Sequence, residues 1–323
     1  MRSPRKIAAR MLRRARRLAG YPAGPAILMY HRIARPSFDP WELAVSPENF
    51  EGQLDWLKQR RTVLPMEEFA ALQKRGKLPG DAVAITFDDG YACNAQIAAP
   101  LAAAKKAPIT IFLTTGAVSS ANEFWWDDLE RILTAAPPMT LEVTLAGEDL
   151  SFDLQEASGP LTGARADAYN ALWGALRRLD IPTCKAALKA LARQCGAPEE
   201  GRPEYSAMSR AELDELVRSE WVTIGAHSVN HPPLSELSPE DQRFEIETSR
   251  DACAEFTGAV PALFAYPYGD YDDRTVELVG RAGFETAVTT DAGFVSKGSE
   301  SLRLPRLQVG DWPAERFSRM FVS

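Results

Sequence analysis

Apolar positions along this chain recur in two rhythms, a period of two in short runs and a helical period in longer ones. The most regular short run is Ala82 to Phe87. Val83, Ile85 and Phe87 fall on one side of it, Ala82 and Ala84 on the other. A strand apolar on both faces belongs to a parallel sheet covered by helices. Further runs of this kind lie at residues 26–31, 108–114, 221–226, 263–266, 285–289 and 304–309. Helix patterns alternate with them. Ser46-Pro47-Glu48 reads as a hydroxyl cap, a first-turn proline and an acid, followed by the stripe Phe50, Leu54, Leu57. A second helix covers residues 66–74, and a small-residue helix covers about 94–106. Ser209-Arg210-Ala211-Glu212 reads as a capping box. Ser238-Pro239-Glu240-Asp241 caps a helix that Gly258 ends, and Val276 and Val279 lie on one that stops at Gly283. Strands alternating with helices predict an α/β fold with a parallel sheet.

The rhythm breaks between about residues 122 and 206. Phe124 to Glu130 starts a helix, and residues 139–154 alternate like a hairpin turning at Gly147-Glu148-Asp149. Two helices follow, at residues 165–179 and 183–195. This stretch reads as an α+β insertion, with a separate small domain as the alternative. The expected organisation is a basic segment at residues 1–25 and a main domain at 26–323 carrying the insertion.

Charge changes the picture at one end. Eight cations and no acid lie in residues 1–18; removing that +8 from the net −7 leaves −15 on the remainder. An acidic body argues against nucleic acid as a partner. Ile7, Met11, Ala15 and Leu18 recur at roughly helical spacing among the arginines. Residues 1–19 therefore read either as an interfacial helix on anionic lipid or as a solvated basic terminus. No run is long and apolar enough to span a bilayer, and no apolar h-region follows the basic residues. Cys93, Cys184, Cys195 and Cys253 are widely spaced and read as free thiols in a reducing compartment. The expected location is cytoplasmic, peripheral at the inner membrane face if residues 1–19 lie on lipid.

The candidate chemistry sits at strand ends. Asp88 and Asp89 follow the strand at 82–87, and Gly90 allows a sharp turn after them. Two adjacent carboxylates repel unless a proton or a metal ion intervenes. The chain has three histidines, His31, His227 and His231, each at or just beyond a predicted strand end. His227 and His231 lie four apart, and Pro232 steers His231 away from helical geometry. Two imidazoles and one carboxylate leave an open position on Zn²⁺ or a similar ion, the pattern of a catalytic site. Asp89 is the expected carboxylate.

Thr86-Phe87-Asp88-Asp89-Gly90 and His227-Ser228-Val229-Asn230-His231 resemble the first two motifs of the polysaccharide deacetylases, carbohydrate esterase family four, also called the chitooligosaccharide deacetylase homology domain. The resemblance spans residues 26–309 apart from 122–206. It implies a distorted (β/α)₇ barrel and a metal-dependent N-deacetylase. It assigns Asp89, His227 and His231 to a divalent metal, Zn²⁺ by expectation, and makes Asp88 the general base. Ala265-Tyr266-Pro267-Tyr268-Gly269 stands where the family has Arg-Pro-Pro-Tyr-Gly, so Ala265 replaces the arginine that steadies the base. Tyr268 is kept, and its backbone N–H is assigned to the oxyanion. The C-terminal Leu-x-His motif, source of the family's general acid, is absent. Leu28-Met29-Tyr30-His31 resembles the start of the exopolysaccharide, poly-N-acetylglucosamine-type branch, which assigns the acid to His31. With Asp88 beside Asp89, the cation is expected to keep the base ionised.

Tyr91 and Tyr268 are the preferred sugar-stacking residues, with Trp125, Trp126, Tyr271 and Trp312 behind them. The expected partner is an N-acetylated glycan, as a polymer or a precursor. The alternatives are another amide or ester hydrolase on a lipid-linked or small sugar, and an inactive carbohydrate-binding module.

Overall fold

The computed structural model describes residues 24–118, 122–145, 147–155 and 158–321. The basic stretch at residues 1–19 lies outside them. Seven strands, numbered in chain order, close a barrel: β1 (Ala26–Tyr30), β2 (Ala82–Phe87), β3 (Ile109–Leu113), β4 (Val222–Ala226), β5 (Leu263–Ala265), β6 (Thr286–Ala292) and β7 (Leu304–Gln308). Each pairs in parallel with the next, and β1 closes the ring by pairing with both β2 and β7 (Leu28 opposite Ile85 and Leu307). Thr62–Val63 adds a short parallel partner at the start of β2. The distortion is local. β4 and β5 share one register pair, Phe264 with Ala226, and the β6–β7 register shifts between Val288 and Ala292.

The period-two pattern sorts residues between two cores. Leu28, Tyr30, Val83, Ile85, Phe87, Ile109 and Ile111 join the cluster under the helices. Ile27, Ala82, Ala84, Phe112, Leu263, Ala265, Val288 and Leu304 join a second cluster that fills the barrel. The small side of β2 is therefore its inward side, because seven strands leave little room within the ring. Helix Pro47–Arg60 seals part of the outer face. Phe50 lies 5.3 Å from the Tyr30 ring and 5.6 Å from Phe87, and Gln53 accepts the Tyr30 hydroxyl at 2.9 Å. Burial of a ring like Phe50 contributes about 1.5–3 kcal/mol.

Helix positions follow the pattern closely, with small shifts. The capping box at Ser209 and Glu212 forms, and Gly258 ends its helix at φ +74°. The helix expected from residue 94 opens as a wide turn, Asn94–Ala98, before the regular turns Ala99–Ala104. Pro100 has no N–H to continue an ordinary helical ladder there. The hairpin strands are Met139–Leu145 and Glu148–Leu154, so Glu148 and Asp149 belong to a strand rather than to the turn. All four cysteines are free and buried. Among the described residues, no helix is long and apolar enough to cross a membrane.

Between β3 and β4 the hairpin packs with helices Trp125–Ala135, Gly163–Leu176 and Ile181–Cys195 around a core of their own, centred on Leu129, Leu133, Leu154, Leu172 and Leu188. Buried polar contacts fasten this unit to the barrel and tie its two ends to each other. Asp127 accepts from Arg32 at 3.0 Å and from the Tyr91 hydroxyl at 2.8 Å. Arg202 pairs with Glu123 at 2.9 Å and also with Glu130. Such pairs are costly to break singly, because a lone buried charge remains.

Candidate active site

The inward rows that fill the barrel carry polar groups at their C-terminal ends. Parity continues Ala82, Ala84 and Thr86 to Asp88, Ile27 and Met29 to His31, and Leu304 to Arg306. The C-terminal mouth of a parallel barrel is where loops collect chemistry. Backbone bonds lace these ends together. Asp88 N–H donates to Tyr30 O at 3.0 Å, Thr114 N–H to Asp89 O at 3.1 Å, and His227 N–H to Leu113 O at 2.8 Å.

Six non-glycine residues have positive φ among the described residues, and four sit here: Asp89 (+70°), Ser228 (+62°), His231 (+60°) and Tyr268 (+58°). Each such residue costs about 1–3 kcal/mol and persists only where its surroundings over-determine it. The supports are visible. Ser228 Oγ accepts His231 N–H at 2.9 Å. The Glu245 carboxylate accepts Val229 N–H and Asn230 N–H at 2.8 Å each, and the Asn230 side-chain amide at 2.7 Å. Gly90 takes φ +83°, and a Cβ there would lie 2.8 Å from Leu113 Cδ2.

Asp89, His227 and His231 converge as expected. Asp89 Oδ1 lies 3.6 Å from His227 Nε2 and 3.3 Å from His231 Nε2, and the two Nε2 atoms are 3.1 Å apart. A tetrahedral ion with bonds of about 2.0–2.2 Å spaces its donors about 3.3–3.6 Å apart. His227 Nδ1 lies 2.7 Å from Ala265 O, so that nitrogen carries the proton and Nε2 presents a lone pair. Burial lowers the His231 pKa and favours the neutral ring a ligand must be. Burial acts to raise the Asp89 pKa, but contact with the two imidazoles carries it well below the usual carboxylate range. The donor set fits a divalent cation.

Asp88 is held differently from the expectation. Arg306, fully buried in β7, donates to Asp88 Oδ1 at 2.7 Å and to Oδ2 at 2.6 Å. It also donates to Thr86 Oγ1 at 3.1 Å and to Thr289 O at 2.9 Å. Burial acts to raise the Asp88 pKa; the charge and paired hydrogen bonds of Arg306 outweigh it and leave a net lowering. On the Asp88 side, the repulsion between adjacent carboxylates is thus relieved by a buried guanidinium. A guanidinium that the sequence reading did not foresee therefore favours the ionised form of Asp88 beside any metal ion. Arg306 thus brings to Asp88 a guanidinium that Ala265 cannot supply. Its signal in the sequence was a charge at an inward position of an apolar run, Leu304-Pro305-Arg306-Leu307.

His31 Nε2 lies 3.9 Å from Asp88 Oδ2, on the same mouth, and its backbone carbonyl accepts Asn94 Nδ2 at 2.8 Å. The Tyr268 ring stands edge-on to His231, centroids 4.4 Å apart, on the turn Pro267–Gly269. Tyr91 sits within the wall. Only 3% of it is exposed, its hydroxyl is engaged by Asp127 and by Trp126 Nε1, and its ring packs on Phe124. It offers no free face for a sugar and serves instead to tie the insertion to the Asp89 loop. Trp126 stacks on Phe124, with its ring centroid 5.1 Å from that of His231. Tyr271 packs on Tyr266 and bonds Asp291.

A closed parallel barrel bearing a paired Asp-Asp and two histidines at its mouth defines a barrel hydrolase with a candidate metal centre. The family model described as Polysaccharide deacetylase matches residues 75–136 and 151–287, and the chain belongs to that family. YxkH of Bacillus subtilis (strain 168) is 20% identical over 290 residues, covering 89% of this chain and 72% of that protein. The poly-beta-1,6-N-acetyl-D-glucosamine N-deacetylase of Staphylococcus aureus (strain MSSA476) is 32% identical over 108 residues, 29% of this chain and 37% of that protein. The structure of Streptococcus pyogenes deacetylase PplD in complex with acetate shares the fold. Its TM-score is 0.60 at 21% identity, covering 93% of this chain and 99% of that one.

Proposed function

We propose that this deacetylase is a metal-dependent hydrolase that removes N-acetyl groups from amino-sugar residues of a polysaccharide or its precursor. The observation that carries the reading is Asp88 clamped by Arg306 beside the Asp89, His227 and His231 donors. When bound there, a divalent cation, Zn²⁺ by donor type, supplies Lewis acidity to an acetamide carbonyl and to water. Asp88 accepts the proton of the attacking water, and Arg306 holds its carboxylate in place. The Tyr268 backbone N–H donates to the developing oxyanion. His31 Nε2 protonates the leaving amine, so the C–N bond breaks to acetate and a free amino sugar. The acetate complex of PplD and the activity named for the staphylococcal relative support this choice of substrate class.

Acetate release from N-acetylglucosamine oligomers tests the reading, with O-acetylated sugars run in parallel. Release is expected from the N-acetyl panel, and Asp88→Asn is expected to reduce it by about 10²–10⁴-fold. Oligomer binding without any acetate release would identify a binding module instead. His31→Gln is expected to lower turnover by a similar order, about 10²–10⁴-fold, for loss of the acid. An unchanged rate in that variant would place the acid on another group.

A further inference from the structure

Aromatic rings from three separate segments form a continuous track that ends at the metal-site donors. Trp41, in the loop after β1, lies 4.8 Å from Trp173, on the insertion helix Gly163–Leu176. Trp173 lies 5.6 Å from Tyr268, which lies 4.4 Å from His231. Trp125 flanks the track, 6.1 Å from Trp173, and also lines a cleft of about 630 Å³ beside His231. Trp41 is 37% exposed, one of three exposed large hydrophobic side chains among the described residues, and Trp173 and Tyr268 are half-buried. Tyr169, one turn before Trp173, props Trp41 from below at 5.7 Å.

Two loops and an insertion that only needed to seal an interface would bury these rings. Instead the track opens to solvent at Trp41 and reaches the reacting centre at Tyr268. A glycan whose acetamide sits at the donors must lay its neighbouring residues on the surrounding rim. The apolar C–H faces of pyranose rings match aromatic faces, which also exclude water from them. We infer that Trp41, Trp173 and Tyr268 form a run of sugar subsites for the unreacted residues of the same chain. The insertion helix thereby sets a preference for oligomers over single sugars. This rests on the amino-sugar reading above.

The test uses the full chain with metal and a ladder of N-acetylglucosamine oligomers from one to six units. For Trp41→Leu and Trp173→Leu, which keep apolar bulk but lose the ring face, the ratio of kcat/KM for the hexamer to that for the shortest substrate turned over is expected to fall about tenfold, mostly through KM. Trp173→Tyr, which keeps a ring, is expected to restore most of the ratio. Oligomer titration of Asp88→Asn, followed by tryptophan fluorescence, reports binding apart from turnover, and its affinity is expected to rise with oligomer length. An unchanged length preference in both leucine variants would overturn the subsites while leaving the deacetylase reading intact. Length-dependent binding without acetate release by the wild type would overturn the deacetylase reading and uphold the subsites.

Discussion

Arg306→Met is expected to reduce acetate release by about 10²–10⁴-fold, comparable to removal of the base itself. Methionine preserves much of the volume but leaves Asp88, 2% exposed, without its charge partner. Removing one member of a buried ion pair costs about 3–5 kcal/mol, because the remaining charge has neither water nor a counter-ion. Thermal unfolding should register that loss directly. The pH dependence has a definite sign. In the wild type the Asp88 pKa is lowered, so its contribution to stability is present above the unfolded carboxylate value and is lost as pH falls through the folded one. Without Arg306, burial dominates and the folded pKa rises. The stability gap between wild type and variant should therefore be widest at neutral pH, should begin to narrow as pH falls through the variant's raised carboxyl pKa, and should close through the lowered one of the wild type. The acid limb of the rate profile should move upward for the same reason. Arg306→Lys keeps a charge but loses the two-pronged contact, so an intermediate loss is expected. Wild-type turnover in Arg306→Met would show that Asp88 does not depend on this clamp.

His231→Ala is expected to abolish stable retention of a divalent metal, and with it turnover. Loss of a partner behind a ligand typically costs 10–100-fold in metal affinity or activity, so loss of a ligand should cost roughly 100-fold or more. Elemental analysis of purified protein reads this independently of activity. Chelation of the wild type should stop acetate release, and added Zn²⁺ should restore it. Added metal should also raise the unfolding temperature of the chelated wild type. A ligand at 100 times its Kd stabilises by about 2.7 kcal/mol, and the variant should show little of that rise. Equal metal content in His231→Ala and wild type would mean that the ion is held elsewhere.

These two variants separate what the adjacent carboxylates do. Asp88 and Asp89 share a strand end, yet period-two alternation and the positive φ at Asp89 send them to different partners. Asp88 meets a permanent cation from β7, and Asp89 meets two imidazoles from the loop after β4. In the proposed mechanism one group is held ready to accept a proton, and the other is left to ligate. The insertion acts on the same mouth from outside. Trp126 brings it against His231, and Asp127 links it to Arg32 and Tyr91, the neighbours of His31 and Gly90.

The barrel strands, the caps at Ser209 and Ser238 and the cluster of Asp89, His227 and His231 were legible in the amino-acid sequence because each is a local pattern, whereas the hydroxyl of Ser46, expected to cap its helix, bonds Asp311 instead. Alternation over a few residues marks a buried strand. Asp88-Asp89 and His227 to His231 are contiguous motifs, and placing them at strand ends already implies that they meet at one rim. The insertion was legible as a break in rhythm with helices and a hairpin of its own. What required the tertiary structure was every contact made across the closed ring. Arg306 lies 218 positions from Asp88, and β7 reaches β2 only through β1, when the barrel closes. Tyr91 has the right residue type directly after a motif, but packing from the insertion turned it into the wall. The Trp41, Trp173 and Tyr268 track joins three segments with no shared spacing. Local periodicity determines which way a side chain points, whereas closure of the barrel and docking of the insertion determine what it meets.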